Sequence, residues 1–350
     1  MIDIILGTSK RCVGRNMAVD VVVFGGSGFI GSNLAAHLSS RGYRVRVADV
    51  NPPKRSLENV DFKRCDVRDA LDVFACLADA AVAINTAIIQ IPRINEEPVL
   101  GYQVNVVGTQ NICEAVARLD NAVGLVQAGT WHTIGEMGLE GVVDEEFGYR
   151  PDKVEERAKI YALSKVCQES VVRLYSHMYP NKSYVVLRTG TVLGPGMPEL
   201  TAASIFIRNA LSGKPLTPYK HSMYRPMLFV DIEDVCKAYE VVVGRVLEGG
   251  LRGTNNVFNV VYPEPVTIIE LAEYINQIVY EETGGRINPA IEIVDKGLPS
   301  AFTPEDKHRF QVKIDKVKVI LGLNCLKSPL ATLRALVRIS IFERSTGSLE

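Results

Sequence analysis

The most constraining feature of the chain lies near its start. An apolar, β-branched run from Val19 to Phe24 breaks off into Gly25-Gly26-Ser27-Gly28-Phe29-Ile30-Gly31, and a helical pattern follows at once. Glycines at a strand-to-helix turn remove the side chains that would hold the backbone away from a ligand, and the first helical amides then face any anion placed there. The next 160 or so residues repeat the same alternation. Strands are predicted at 19–24, 43–48, 60–65, 80–86, 123–128 and 183–188, and helices at 28–41, 69–78, 96–118 and 153–178, the first closed by Gly42 and the last stopped by Pro180.

The fold class that follows is α/β, a doubly wound parallel sheet of the Rossmann type, with a smaller, irregular α/β substrate domain after it. Beyond 187 the pattern loosens through Gly194-Pro195-Gly196, Pro198, Pro215 and Pro218, before Met227 to Val230 reads as a strand. Helices at 231–247, 267–281, near 313–321 and over Leu330 to Phe342 follow, with a strand at 257–260. We therefore expect an extension over 1–16, a Rossmann domain over 17–187 to which 225–262 returns, and a substrate-binding domain over 188–350. Met17 stands where a chain beginning directly with the first strand would start.

Composition removes several alternatives. Lys and Arg number 39 against 40 Asp and Glu, a formal charge of −1 with no run of five like charges. Nucleic acid and anionic membranes are therefore not the expected partners. No apolar run approaches the 18 or so residues of a membrane span. The seven cysteines are scattered without a C-x-x-C pair, and the five histidines are dispersed, His132 and Glu136 being the nearest approach to a ligand pair. A reducing compartment, the cytoplasm, is expected, with no metal site.

Two constellations carry chemistry. In the first, Gly25, Gly28, Phe29, Ile30 and Gly31 form the cradle for a dinucleotide pyrophosphate, and the second strand ends in Asp49, 21 residues past Gly28, where a carboxylate accepts from ribose hydroxyls and repels a 2′-phosphate. NAD is expected over NADP. No Lys-Ser or Lys-Thr follows the glycines, so a P-loop is excluded. In the second, a tyrosine working as acid or base needs its pKa lowered from about 10, and a lysine one turn later supplies the charge. The pattern Y-x-x-x-K occurs at Tyr149/Lys153, interrupted by Pro151, and at Tyr161/Lys165. The second pair lies in a helix that Asp152 and Glu155 can cap, with Leu163, Cys167, Val171, Leu174 and Met178 on an apolar stripe.

With these motifs the chain resembles an extended short-chain dehydrogenase/reductase of the NAD-dependent epimerase/dehydratase family over 19 to about 342. Cys65-Asp66-Val67-Arg68-Asp69 resembles the family's adenine-binding strand end, Asn85-Thr86-Ala87 its fourth-strand cofactor contact, and Asn105-Val106-Val107-Gly108-Thr109 a helix opening. The blocks from Leu187 to Gly196 and from Arg225 to Val235 resemble two that line the substrate cleft. The resemblance thus implies Asp66, Val67, Ala87 and Asn105 at the cofactor, together with Tyr161 and Lys165. It implies Thr130, at the fifth strand's end, as the third catalytic group, and Thr191 and Arg225 at the substrate, with Arg225 gripping a diphosphate. His132 either assists in place of a hydroxyl found in some epimerases or is structural.

The expected reaction is NAD-dependent epimerisation of a nucleotide sugar through a transient ketone. The alternatives are a dehydrogenase or reductase of another secondary alcohol and a non-catalytic NAD sensor. Trp131-His132 stands where the family's dehydratases carry an Asp-Glu pair and its decarboxylases a Glu, which disfavours both. A homodimer is implied, through helices 96–118 and 153–178 pairing with their symmetry mates.

Overall fold

The computed structural model describes residues 18–346, so the predicted 1–16 extension and Met17 lie outside the described residues. Seven parallel strands form the central sheet: β1 (Val19–Phe24), β2 (Val45–Asp49), β3 (Val60–Arg64), β4 (Ala80–Asn85), β5 (Gly124–Thr130), β6 (Ser183–Thr189) and β7 (Val257–Val260). Their order is β7-β6-β5-β4-β1-β2-β3, with Val21 facing Val45 on one side and Val82 on the other. The order reverses direction between β1 and β4, the switch point where ligands sit in open α/β sheets.

Period-two alternation along β1 divides its side chains between two cores. Val21 and Val23 meet Leu34 and Leu38 of α1 (Phe29–Ser40) on one face. Val22 and Phe24 meet Val73 and Leu77 of α2 (Ala70–Leu77), Ile112 of α3 (Gly108–Arg118) and Val172 of α4 (Lys159–Met178) on the other. Burial on both faces explains why Val21 to Phe24 of β1 and Ala80 to Ile84 of β4 read as continuous apolar runs.

After β6 the chain leaves the sheet. The predicted strand at Met227 to Val230 is two pieces, Pro226–Met227 paired with Val266–Thr267 and Phe229–Asp231 paired with Thr191–Leu193, because Leu228 falls between two different partners. Helix α6 (Ile232–Leu247) then returns to the sheet, and β7 extends its edge beside β6. A third core joins α5 (Ala202–Leu211), α7 (Ile268–Glu282) and α8 (Pro329–Ser345).

Two predicted helices differ from the observed ones in ways that matter for the site. The stretch 96–118 is broken, running through Arg93–Glu96, Pro98–Tyr102 and a π-turn at Gln103–Val107 before α3. Pro98 restarts the helix, and the wider turn carries Asn105 toward residue 89. Helix α4 begins only at Lys159, and neither Asp152 nor Glu155 caps it, for the Glu155 carboxylate is bound by Arg157 and Arg225 instead. Its predicted apolar stripe is also its outer face: Leu163, Leu174 and Met178 are each more than half exposed. The buried face carries Ser164, Lys165, Gln168 and Glu169.

Candidate active site

The carboxyl ends of β1, β4, β5 and β6 open into one cleft, lined by Phe29 and Ile30 from α1, Thr86 and Ala87 after β4, Thr130 and His132 after β5, Tyr161 and Lys165 from α4, and Thr191. The glycine loop packs against the β4 end that lines it. A Cβ on Gly31 would lie 2.4 Å from the Gly25 carbonyl oxygen, and one on Gly25, whose φ is +74°, would lie 2.5 Å from the Ala87 nitrogen. Only glycine lets loop and β4 end approach so closely. Gly28 occupies the N-cap of α1 with no side-chain cap, so that helix start has amides for an anion. Asp49 lies beside the glycine loop, its Oδ2 accepting from the Ser27 amide at 3.1 Å and its Oδ1 from the Asn51 amide at 3.0 Å. These residues fit a dinucleotide: an uncapped helix start for the pyrophosphate and a carboxylate beside it for a ribose.

Other predicted cofactor residues have partners of their own. Arg68 forks onto Asp66 and draws its pKa below the ordinary range, while Val67 is buried. Asn105 is fully buried and clamps residue 89, accepting from its amide at 2.7 Å and donating to its carbonyl and to Ser164. It therefore shapes the cleft wall rather than presenting its amide to a ligand. Sequence reasoning missed the network behind that wall, in which Asn85 donates to Thr109 and Gln127, and Gln168 donates to Thr109. The readable signal was polar residues inside otherwise apolar elements.

Thr130, Tyr161 and Lys165 do come together. Thr130 and Tyr161 line the same cleft, and the Lys165 ammonium donates to the Ala128 carbonyl at 2.6 Å. The electrostatics depart from expectation. Burial pushes the Tyr161 phenol up to about 12, with the Thr130 hydrogen bond pulling the other way. Burial also brings Lys165 down to about 7, against the opposing pull of Glu169. The lysine that was to ionise the tyrosine is itself reluctant to carry charge in this setting.

Arg225 is the clear correction. It is buried, ion-paired with Glu155, with Nη1 4.0 Å from Glu136, and lies apart from the lining of the cleft. Tyr149 is also elsewhere, donating at 3.0 Å to Glu169, which Arg188 holds in a buried ion pair at 2.7 Å. Among the described residues no group of three or more His, Cys, Asp or Glu is placed for a metal ion, and no helix is long and apolar enough to cross a membrane. A second hollow of about 420 Å³, lined by Tyr262, Tyr274 and Lys307 among others, contains none of the predicted site residues.

The model of the NAD dependent epimerase/dehydratase family matches residues 21–260. The chain belongs to that family. It is therefore an enzyme of the extended short-chain dehydrogenase type, with NAD as its cofactor. It is 29% identical over 334 residues to a dTDP-6-deoxy-L-talose 4-dehydrogenase (NAD(P)(+)) of Kitasatospora kifunensis, covering 91% of this chain and 93% of that one. It is 27% identical over 242 residues to UDP-glucuronate 4-epimerase 1 of Arabidopsis thaliana, covering 64% and 54%. The crystal structure of the UDP-glucose 4-epimerase of Thermus thermophilus in complex with NAD superposes with a TM-score of 0.71 at 24% identity, covering 91% of this chain and 98% of that one.

Proposed function

We propose that this enzyme epimerises a nucleotide sugar at a carbinol carbon through a transient ketone. The observation that carries the reading is the meeting of Thr130, Tyr161 and Lys165 in one cleft with Phe29 and Ile30, the first residues of the helix that the glycine loop opens. NAD, when bound, supplies an acceptor for the carbinol hydrogen as hydride and a positive charge. Thr130 holds the reacting oxygen beside the Tyr161 phenol, and Tyr161 takes the hydroxyl proton and later returns it. Lys165 fixes the geometry through Ala128 and binds the cofactor. Gly25, Gly28, Phe29, Ile30, Gly31, Asp49 and Ala87 form the cofactor's side of the cleft, and His132 and Thr191 the substrate's. Residues from 188 on, apart from the return through β7, close the substrate side.

The experiment is a panel of nucleotide sugars followed by product analysis, with absorbance at the reduced-nicotinamide band. An epimer without net reduction of added NAD is expected. Stoichiometric reduced NAD would favour the second reading, a net sugar-nucleotide dehydrogenase, which the long match to the talose dehydrogenase supports. Two further properties belong to the proposal. The exposed Leu163, Leu174 and Met178 of α4, beside exposed Val99 and Tyr102, support a homodimer through this face. Sedimentation at micromolar concentration should find a dimer, and a monomer alone would exclude it. The unpaired cysteines of the described residues suit the cytoplasm.

A further inference from the structure

One group of the cleft has more partners than a binding role requires. His132 Nδ1 lies 3.1 Å from the Thr130 hydroxyl, and its Nε2 lies 3.3 Å from Glu136 Oε1. Glu136 is buried, and neither of its oxygens has a regular hydrogen-bond partner. Burial opposes its ionisation, yet Arg225 and His132 hold its carboxyl down at about 2. A buried carboxylate kept ionised beside an imidazole favours the tautomer with its proton on Nε2 and leaves Nδ1 as an acceptor. Thr130 then donates to His132, which leaves its oxygen free to accept from the phenol of Tyr161 in the same cleft.

We propose that Tyr161, Thr130, His132 and Glu136 form a proton relay, in which His132 stores the proton that the reaction removes from the substrate hydroxyl. The inference rests on the reaction proposed above and deepens it. As the carbinol hydrogen leaves with its electron pair to the family's cofactor, the hydroxyl proton passes to Tyr161 Oη. The phenol proton passes to Thr130 Oγ1, and the Thr130 proton to His132 Nδ1. The substrate becomes a ketone and His132 an imidazolium facing the Glu136 carboxylate, so no charge is stranded. Reversal returns the proton for epimerisation. The relay answers the difficulty noted at Tyr161, since a phenol that resists ionisation need only pass one proton on while receiving another. It also accounts for Arg225, which has Glu136 and Glu155 as its partners. His132 acts through Thr130 and is a positioning and proton-holding residue.

The titratable and charged groups around His132 are Glu136 on its own loop, Tyr161 and Lys165 from α4, and Arg225 with Glu155 beyond Glu136. The first test needs neither substrate nor cofactor: nitrogen-15 NMR of the histidine side chains, with His132 assigned by its loss in His132→Asn. The relay requires the Nε2–H tautomer at neutral pH, and an Nδ1–H tautomer would overturn it. The second test is kinetic. His132→Asn should lower kcat about tenfold or more, a larger change than in KM, with NAD affinity little changed. Glu136→Gln, which keeps the volume and serves if His132→Asn does not fold, should lower kcat less and move the acidic limb of the pH profile to lower pH, because the charge that favours the imidazolium is gone. Wild-type kcat and pH profile in both variants, with Tyr161→Phe inactive, would sink the relay alone. Wild-type turnover in Tyr161→Phe would instead sink the proposed reaction.

Discussion

The two ends of the cleft are built on opposite principles. The glycine-loop end presents backbone: an uncapped helix start, close carbonyls, and one carboxylate at a strand end whose partners are amides. The β5 and α4 end presents side chains that ionise, and removes them from water, so that Tyr161 is pushed up and Lys165 down. Binding a dinucleotide needs shape and donors, which a rigid backbone supplies at little cost in stability. Moving protons needs groups whose charged and neutral forms are near balance, and burial brings Lys165 there at a cost in stability while it takes Tyr161 further away. Glu169, one turn beyond Lys165, shows the alternative: it is equally buried, but Arg188 and Arg173 stay with it and keep it charged.

Substitutions at the two ends should have separable effects. The largest effect should come from Tyr161→Phe, with turnover reduced roughly a hundredfold or more while NAD affinity stays nearly unchanged. Initial rates and an NAD titration check it. Tyr149→Phe, outside the cleft, should stay close to wild type, and equal losses at the two tyrosines would dissolve the distinction.

Lys165→Met should damage turnover and NAD binding together and yet stabilise the fold. The sign follows from a folded-state value of about 7 below the ordinary 10.5. The buried ammonium destabilises the native state fully below about pH 7, and the penalty fades as pH rises toward 10.5. Thermal unfolding should therefore show the variant's advantage at neutral and acidic pH and its disappearance in alkali.

At the other end, Gly31→Ala forces a Cβ against the Gly25 carbonyl and should weaken NAD binding about tenfold or more, with the pH dependence of turnover unchanged. The smallest effect is at Asp49: the wild type should prefer NAD, and Asp49→Ala should narrow the gap to NADP by removing both a ribose partner and a repulsive charge. Equilibrium titration of both cofactors measures it, and an unchanged ratio would show that Asp49 does not read the ribose.

The backbone end was legible because its determinants are local. Gly25 to Gly31 and Asp49 mark themselves by position relative to strands whose apolar runs are unmistakable. Tyr161 and Lys165 were legible for the same reason, being one turn apart on one helix. What could not be read was long-range. Arg225 looked like a ligand clamp until folding brought it to Glu155, seventy positions away. The α4 stripe reads as core by periodicity, but hydropathy does not say whether an apolar face meets its own protomer or another chain. Nor does helical spacing reveal that Lys165 lies under a carbonyl and has lost much of its charge. His132 and Glu136 were visible as a spaced pair, and only their burial beside Thr130 gives that pair a use.

In the proposed reaction the enzyme oxidises one carbinol transiently and hands the same hydrogen back. The most direct measurement uses whichever nucleotide sugar the panel turns over, carrying deuterium on the carbinol carbon, with the product examined by NMR and mass spectrometry. The account predicts an epimer that keeps the deuterium on that same carbon, with none in water and no accumulation of reduced NAD. Loss of the label to solvent, or its appearance in free reduced cofactor in proportion to a ketone product, would contradict it.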